Sequence, residues 1–171
     1  NRLYPHLDAP EEDFIVCDHL PREELSVGKV YMQDPSTAIA PRLLAPQPGH
    51  RVLDACAAPG GKTALLAQLM ENQGEIIACD VSPGRLRRLD GNLNRLHVAN
   101  AHIEEHDWSN PQIPAFAKPG FDRILLDVPC SNTGVMRRRV DVRWRLHPDD
   151  FQVQTQTQTQ LLKNCLRVLK P

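Results

Sequence analysis

Val52 to Thr63 reads VLDACAAPGGKT, and the fold is decided there. Arg51-Val52-Leu53-Asp54 sets branched and long apolar side chains in a short run, the composition of a strand buried in a parallel sheet. Asp54 ends that run, at the carboxyl edge where open α/β sheets hold their ligands. Ala55, Cys56, Ala57 and Ala58 keep bulk low, and Pro59 biases the turn. Gly60 and Gly61 let the backbone approach a ligand or take positive φ. The pattern then predicts a helix over 62–70, whose amino end presents free N–H groups. The G-x-G-x-x-G of a dinucleotide fold is absent, as is the G-x-x-x-x-G-K-[ST] of a phosphate loop, although Gly61-Lys62-Thr63 imitates its tail.

Outward from this turn the pattern repeats. Asn72 and Gly74 mark a turn, and Glu75-Ile76-Ile77-Ala78-Cys79-Asp80 reads as a second strand closed by a second acid. Two strands ending in Asp with one helix between them form a βαβ unit, in which the second carboxylate can accept hydrogen bonds from ribose hydroxyls. The competing reading makes Asp80 a cap for the helix that starts at Ser82. That helix runs to about Leu96, with Leu86, Leu89, Leu93 and Leu96 on a buried stripe and Arg85, Arg87, Arg88 and Arg95 on other faces. Residues 101–107 form a weaker third strand with Asp107 at its end. His97, His102 and His106 make no convincing metal set and are expected to face solvent. Ile124 to Leu126 reads as a buried central strand that delivers Asp127 and Val128-Pro129-Cys130-Ser131 to the same edge. Cys130 is then either inert filler or a thiol whose neighbours set its reactivity.

The flanks are less regular. In 31–49, Asp34 or Ser36 can cap a short helix, Pro35 suits its first turn, and Ile39, Leu43 and Leu44 supply an apolar face. Phe14 to Cys17 could form one strand within a lead-in over 1–30. Arg137, Arg138, Arg139, Arg143 and Arg145 cluster around Trp144 in a polar stretch. They are either a solvated loop or a phosphate-binding patch, and Trp144 either stacks on a base or pins the loop to the core. A last helix starts at Pro148-Asp149-Asp150 and carries Leu161, Leu162, Cys165, Leu166 and Leu169. Its alternating Gln and Thr from Gln152 to Gln160 argue against it locally, because branched residues disfavour helix.

The chain has 171 residues, 41% hydrophobic and 24% charged, enough for one domain with a real core. Net charge is −1, but residues 1–50 carry four Lys/Arg against eight Asp/Glu, and 51–171 carry sixteen against thirteen. Five cysteines without a CxxC pair argue against a disulfide scaffold and fit a reducing, cytoplasmic setting. No apolar run is long enough for a membrane span, and no obligate protein partner is evident. Both ends look cut from something longer.

VLDACAAPGGKT together with ILLDVPCSNTGVMRRRVDVRW, 124–144, resembles the Sun (Fmu) family of RNA cytosine-5 methyltransferases, which use S-adenosylmethionine. The resemblance extends over about residues 28–171 and includes YMQDPSTAIAPRLLAPQPG at 31–49. It implies a Rossmann-like class I methyltransferase fold in the α/β class, with the methyltransferase domain over 31–171 and the C-terminal side of its sheet incomplete. It also implies that Asp54, Cys56, Ala57, Ala58, Pro59, Gly60, Gly61 and Lys62 surround the methionine end of the cofactor. Asp80 would hold its ribose and Asp107 would lie near its adenine, with Arg85 and Asp127 in the same cofactor set. Asp127 would also bind the target cytosine, Lys62 would support catalysis, and Cys130 would release the product.

In that family the attack on carbon 6 comes from a cysteine in a Thr-Cys-Ser loop, and none of the five cysteines here has that context. The chemistry requires such a thiol, because carbon 5 of cytosine takes a methyl only after addition at carbon 6 enriches it. The resemblance points to ribosomal RNA, with transfer RNA as the alternative substrate. A non-catalytic cofactor- or RNA-binding remnant and an NAD-dependent oxidoreductase are the competing readings. The isolated chain is expected to be inactive in methyl transfer.

Overall fold

A computed structural model describes residues 19–136 and 140–171. The Phe14 to Cys17 strand and Arg137 to Arg139 fall outside those residues. Four strands, β1 (Arg51–Asp54), β2 (Glu75–Asp80), β3 (Ala101–Glu105) and β4 (Arg123–Leu125), form one parallel sheet in the order β3-β2-β1-β4. Helices α1 (Arg22–Ser26), α2 (Ile39–Leu44), α3 (Gly61–Leu69), α4 (Pro83–Arg95), α5 (Val142–Arg145) and α6 (Pro148–Leu166) surround it. The expected α/β class is therefore met, with a Rossmann-like alternation of parallel strands and helices.

Strand alternation sorts the core into two faces. Leu53, Ile77 and Cys79 point to one side and pack with Trp108, Phe121 and, from α6, Leu161 and Cys165. Val52, Ile76 and Ala78 point to the other, where Leu66 and Ala67 of α3 and Leu89 and Leu93 of α4 cover them. β1 and β2 are buried almost throughout, and so read as continuous apolar runs. β3 is only partly covered, in keeping with its weaker pattern.

Several expectations are corrected. Ile124, expected to be buried, is half-buried and Arg123 is exposed; β4 pairs with β1 on one side, and on the other the chain just before it meets the C-terminal segment in a parallel bridge between Phe121 and Leu169. In α2, Ile39 and Leu43 face solvent. The chain enters α2 through a 3-10 turn, Pro35–Ala38, and Ala38 and Pro41 are buried, with Leu44 packed against the core as expected. His97 and His102 are exposed as expected, but His106 is half-buried, edge-on to Trp108 with ring centroids 4.7 Å apart. Trp144 is 82% exposed, so it does not pin its loop.

The helix α6 forms despite its Gln-Thr alternation. Thr155, Thr157 and Thr159 donate their hydroxyls to the carbonyls four residues back, 2.8–3.0 Å away, so the polar groups are satisfied within the helix. Its anchor is Asn164, 3% exposed, whose Nδ2 donates to the carbonyls of Trp108, Ser109 and Asn110 at 2.9, 3.2 and 3.2 Å. Gln160 donates to the Asn164 Oδ1 at 3.1 Å and fixes which way the amide faces. Asn164→Ala leaves buried carbonyls unpaired, and should lower unfolding free energy by about 2–4 kcal/mol, read from urea denaturation.

Candidate active site

Because the strands are parallel, their carboxyl ends emerge at one edge, where Asp54, Asp80, Asp107 and Asp127 all lie on or just beyond strand ends. The small-residue turn after β1 is threaded between neighbours. The Ala55 N–H donates to the Leu125 carbonyl at 3.0 Å and the Ala57 N–H to the Cys79 carbonyl at 2.8 Å. Gly60 takes the expected positive φ, 106°, and a Cβ there would meet Leu89 Cδ1 at 2.8 Å, so the glycine also lets the turn press on α4.

A cavity of about 630 Å³ opens at this edge, a volume ordinary for a small-molecule site. Cys56, Ala58, Asp80, Arg85, Asp107, Asp127 and Cys130 line it among the sequence-predicted residues. Asp80 is 3% exposed; its Oδ1 accepts the Ser82 N–H at 3.1 Å and its Oδ2 lies 3.2 Å from Arg85 Nη2. Asp80 therefore lines the cavity, and its bond to Ser82 shapes the turn before α4 without capping that helix's first-turn N–H groups. Arg85 also donates to the Ala58 carbonyl at 2.8 Å, tying β2 to the turn after β1. Asp107 is exposed and accepts the Ser109 N–H at 2.8 Å.

A second cavity of about 200 Å³ shares Cys56, Ala58 and Asp127 with the first. Asp54, Ala57, Pro59, Gly61 and Lys62 line it, facing the segment from Tyr31 to Thr37. Lys62 Nζ donates to Asp127 Oδ2 at 2.7 Å, joining the start of α3 to the end of β4. Asp54 is 1% exposed. Thr63 Oγ1 donates to its Oδ2 at 2.7 Å, whereas Oδ1 has no well-formed hydrogen bond within the chain. Burial pushes its carboxyl up to about 7, against the opposing hydrogen bond from Thr63.

The thiols divide sharply. Cys56, Cys79 and Cys165 are pushed up to about 12 by burial, Cys56 also by the carboxylates of Asp54, Asp80 and Asp127. Cys130 is the exposed thiol among the described residues, and its Sγ accepts the Asn132 N–H at 3.4 Å. A buried neutral thiol is a poor nucleophile, so neither Cys56 nor Cys165 has the environment of an attacking group.

Sequence reasoning missed Trp108 and Ser109 as cavity walls and missed Thr157 and Leu161, which α6 contributes from far along the chain. Proximity to Asp107 could have pointed to the first pair. Nothing local signals the second. Arg143 is exposed, and Arg145 lies 3.5 Å from Asp141.

A family model described as 16S rRNA methyltransferase RsmB/F matches residues 41–171. The ribosomal RNA small subunit methyltransferase B of Vibrio cholerae is 38% identical over 178 residues, spanning 98% of this chain and 38% of that protein. The 28S rRNA (cytosine-C(5))-methyltransferase of Mus musculus is 41% identical over 143 residues, 84% of this chain and 18% of the relative. The chain thus spans well under half of these relatives. Among solved structures, NSun6 from Pyrococcus horikoshii with SFG superposes with a TM-score of 0.76 at 30% identity, covering 92% of this chain and 39% of that one. On the matched model and these identities, the chain belongs to the RsmB/F family of rRNA methyltransferases, within the Rossmann-like class I methyltransferase fold.

Proposed function

We propose that this chain supplies the cofactor and base-binding machinery of an S-adenosylmethionine-dependent RNA cytosine-5 methyltransferase acting on ribosomal RNA. The observation that carries this reading is the junction of the two cavities. Asp127, paired with Lys62, stands between a cavity that contains Asp80 and a smaller one walled by Asp54. The names of the relatives, a small subunit methyltransferase and a 28S cytosine-C(5) enzyme, support ribosomal RNA over transfer RNA. Residues 31–171 make up the methyltransferase domain. Free thiols at Cys56, Cys79, Cys130 and Cys165 suit a reducing compartment such as the cytoplasm, and no described helix is long and apolar enough to cross a membrane.

The residues fit S-adenosylmethionine. The buried Oδ1 of Asp54, without a full partner, suits a cationic ammonium at the methionine end, among Cys56, Ala57, Ala58 and Lys62. Asp80, fixed by Ser82 and Arg85, can accept from ribose hydroxyls, and the 107–109 loop walls the adenine side. The cofactor supplies an electrophilic methyl on its sulfonium. The chain's own groups orient the cytosine. Asp127 accepts from the ring's N3–H and exocyclic amine as the ring gains charge, and Lys62 holds that carboxylate in place. Cys130, exposed on the same edge, takes the carbon 5 proton so that the adduct resolves. Attack at carbon 6 falls to a Thr-Cys-Ser cysteine, which these 171 residues do not include.

Trp144, exposed beside Arg143, offers a stacking face for a flanking base and a phosphate contact next to it. Trp144→Ala should therefore weaken binding of single-stranded RNA by roughly tenfold in fluorescence anisotropy, with S-adenosylhomocysteine affinity unchanged.

Calorimetry tests the central reading. The chain should bind S-adenosylhomocysteine and not NAD, without transferring a methyl to RNA on its own; preference for NAD would sink the proposal. Asp80→Ala should weaken S-adenosylhomocysteine binding by about tenfold or more, the scale of hydrogen bonds to a charged group.

Asp54 supplies a pH test. Its folded value of about 7 lies above the ordinary 3.8, so between those values the unfolded chain releases a proton that the folded chain keeps. Stability therefore falls as pH rises through that window, by at most about 4 kcal/mol. Asp54→Asn should remove this slope, so that its stability advantage in urea unfolding grows from about pH 4 to about pH 8.

A further inference from the structure

The loop from Val128 to Asn132 carries the exposed thiol, yet most of its hydrogen bonds are internal. Asn132 N–H donates to Cys130 Sγ, Asn132 Nδ2 to the Cys130 carbonyl at 3.2 Å, and the Ser131 and Thr133 hydroxyls lie 3.2 Å apart. Such a loop holds its own shape without being fixed to the rest of the molecule. Among the described residues, one hydrogen bond joins it to another element: Gln158 Nε2, on α6, donates to the Pro129 carbonyl at 2.8 Å. Pro129 is the residue immediately before the thiol.

Gln158 is well placed to transmit rigidity. The first half of α6 is largely solvent-facing, with Phe151 and Val153 exposed. The second half is fixed through buried Leu161, Asn164 and Cys165, with Asn164 gripping the 108–110 loop. Gln158 lies where the helix passes from one regime to the other, and its neighbour Thr157 lines the cofactor cavity. A displacement of about 1 Å in a reacting group can lower a rate a hundredfold, so a thiol on a locally bonded loop needs an external fix.

We infer that Gln158 is a positioning residue for Cys130, registering the Val128–Asn132 loop against α6 and hence against the cofactor cavity. The inference rests on reading Cys130 as the cytosine-side thiol. Gln158 touches neither the reacting atoms nor the cofactor. It acts through the Pro129 carbonyl, and α6 thereby sets two loops relative to each other, one through Gln158 and the other through Asn164.

The test compares the unaltered chain with Gln158→Glu, which keeps the shape and removes the donor, and with Gln158→Lys, which restores a donor of similar reach. Thr159→Ala, an exposed site whose hydroxyl bonds only within α6, is the control. Hydrogen exchange read by mass spectrometry should rise roughly threefold to tenfold at the Asn132 amide, the loop N–H bonded to Cys130 Sγ, in Gln158→Glu, the factor that one ordinary hydrogen bond represents. Core strands should stay protected. Gln158→Lys should return loop exchange to the unaltered value. Unchanged loop exchange in Gln158→Glu would overturn the inference, as would a rise spread over the whole chain, which marks a purely structural role. S-adenosylhomocysteine binding, measured on the same samples, reports separately on the methyltransferase reading: its absence from the unaltered chain would refute that reading, while loop exchange would still decide whether Gln158 fixes the loop.

Discussion

Asp54 is a carboxylate with almost no contact with water, and the arrangement of the carboxyl edge follows from keeping it there. Burial favours its neutral form, and only the Thr63 hydroxyl, the Cys56 amide and the nearby Lys62 ease the charge. A core chosen for stability alone would place an apolar residue at this position, next to Val52 and Leu53. The residue that is present leaves one buried oxygen without a well-formed hydrogen bond, in a residue that lines a cavity. On the proposed reading, the ammonium group of the cofactor would offset that penalty.

The rest of the edge limits the reach of that instability. Lys62 answers both Asp54 and Asp127, so the start of α3 meets carboxylates from β1 and from the end of β4. Arg85 does the same on the other side, meeting Asp80 and the Ala58 carbonyl. Each basic side chain crosses between two strand ends, and the turn between them has little bulk to interfere. The small residues of 55–58 therefore do two things: they open the cavity, and they allow long cationic side chains to bridge over it.

Much of this was legible in the sequence, for a physical reason. A doubly covered parallel strand must be apolar throughout, so its terminal acid stands out, and Asp54, Asp80 and Asp127 could be read directly. Period alone could not say that Ile39 and Leu43 face outward, because it does not say which side of a short helix meets the core. The positive φ of Gly60 could be read, but not that its open side faces Leu89, because glycine signals close approach without saying to what.

The parts that could not be read share a property, which is that they depend on partners distant in sequence. Thr157 and Leu161 reach the cavity only because α6 folds back across the sheet, and its Gln-Thr alternation argued against a helix. The threonine hydroxyls are satisfied within the helix, and the tertiary contacts of Asn164 hold it in place. A segment with weak local preference thus becomes the element that ties two loops of the site together. Exposure then separates the thiols: burial pushes those of Cys56, Cys79 and Cys165 up, whereas Cys130 is exposed among the described residues. Its fixed position depends on a helix whose sequence, read alone, gives no sign of the task.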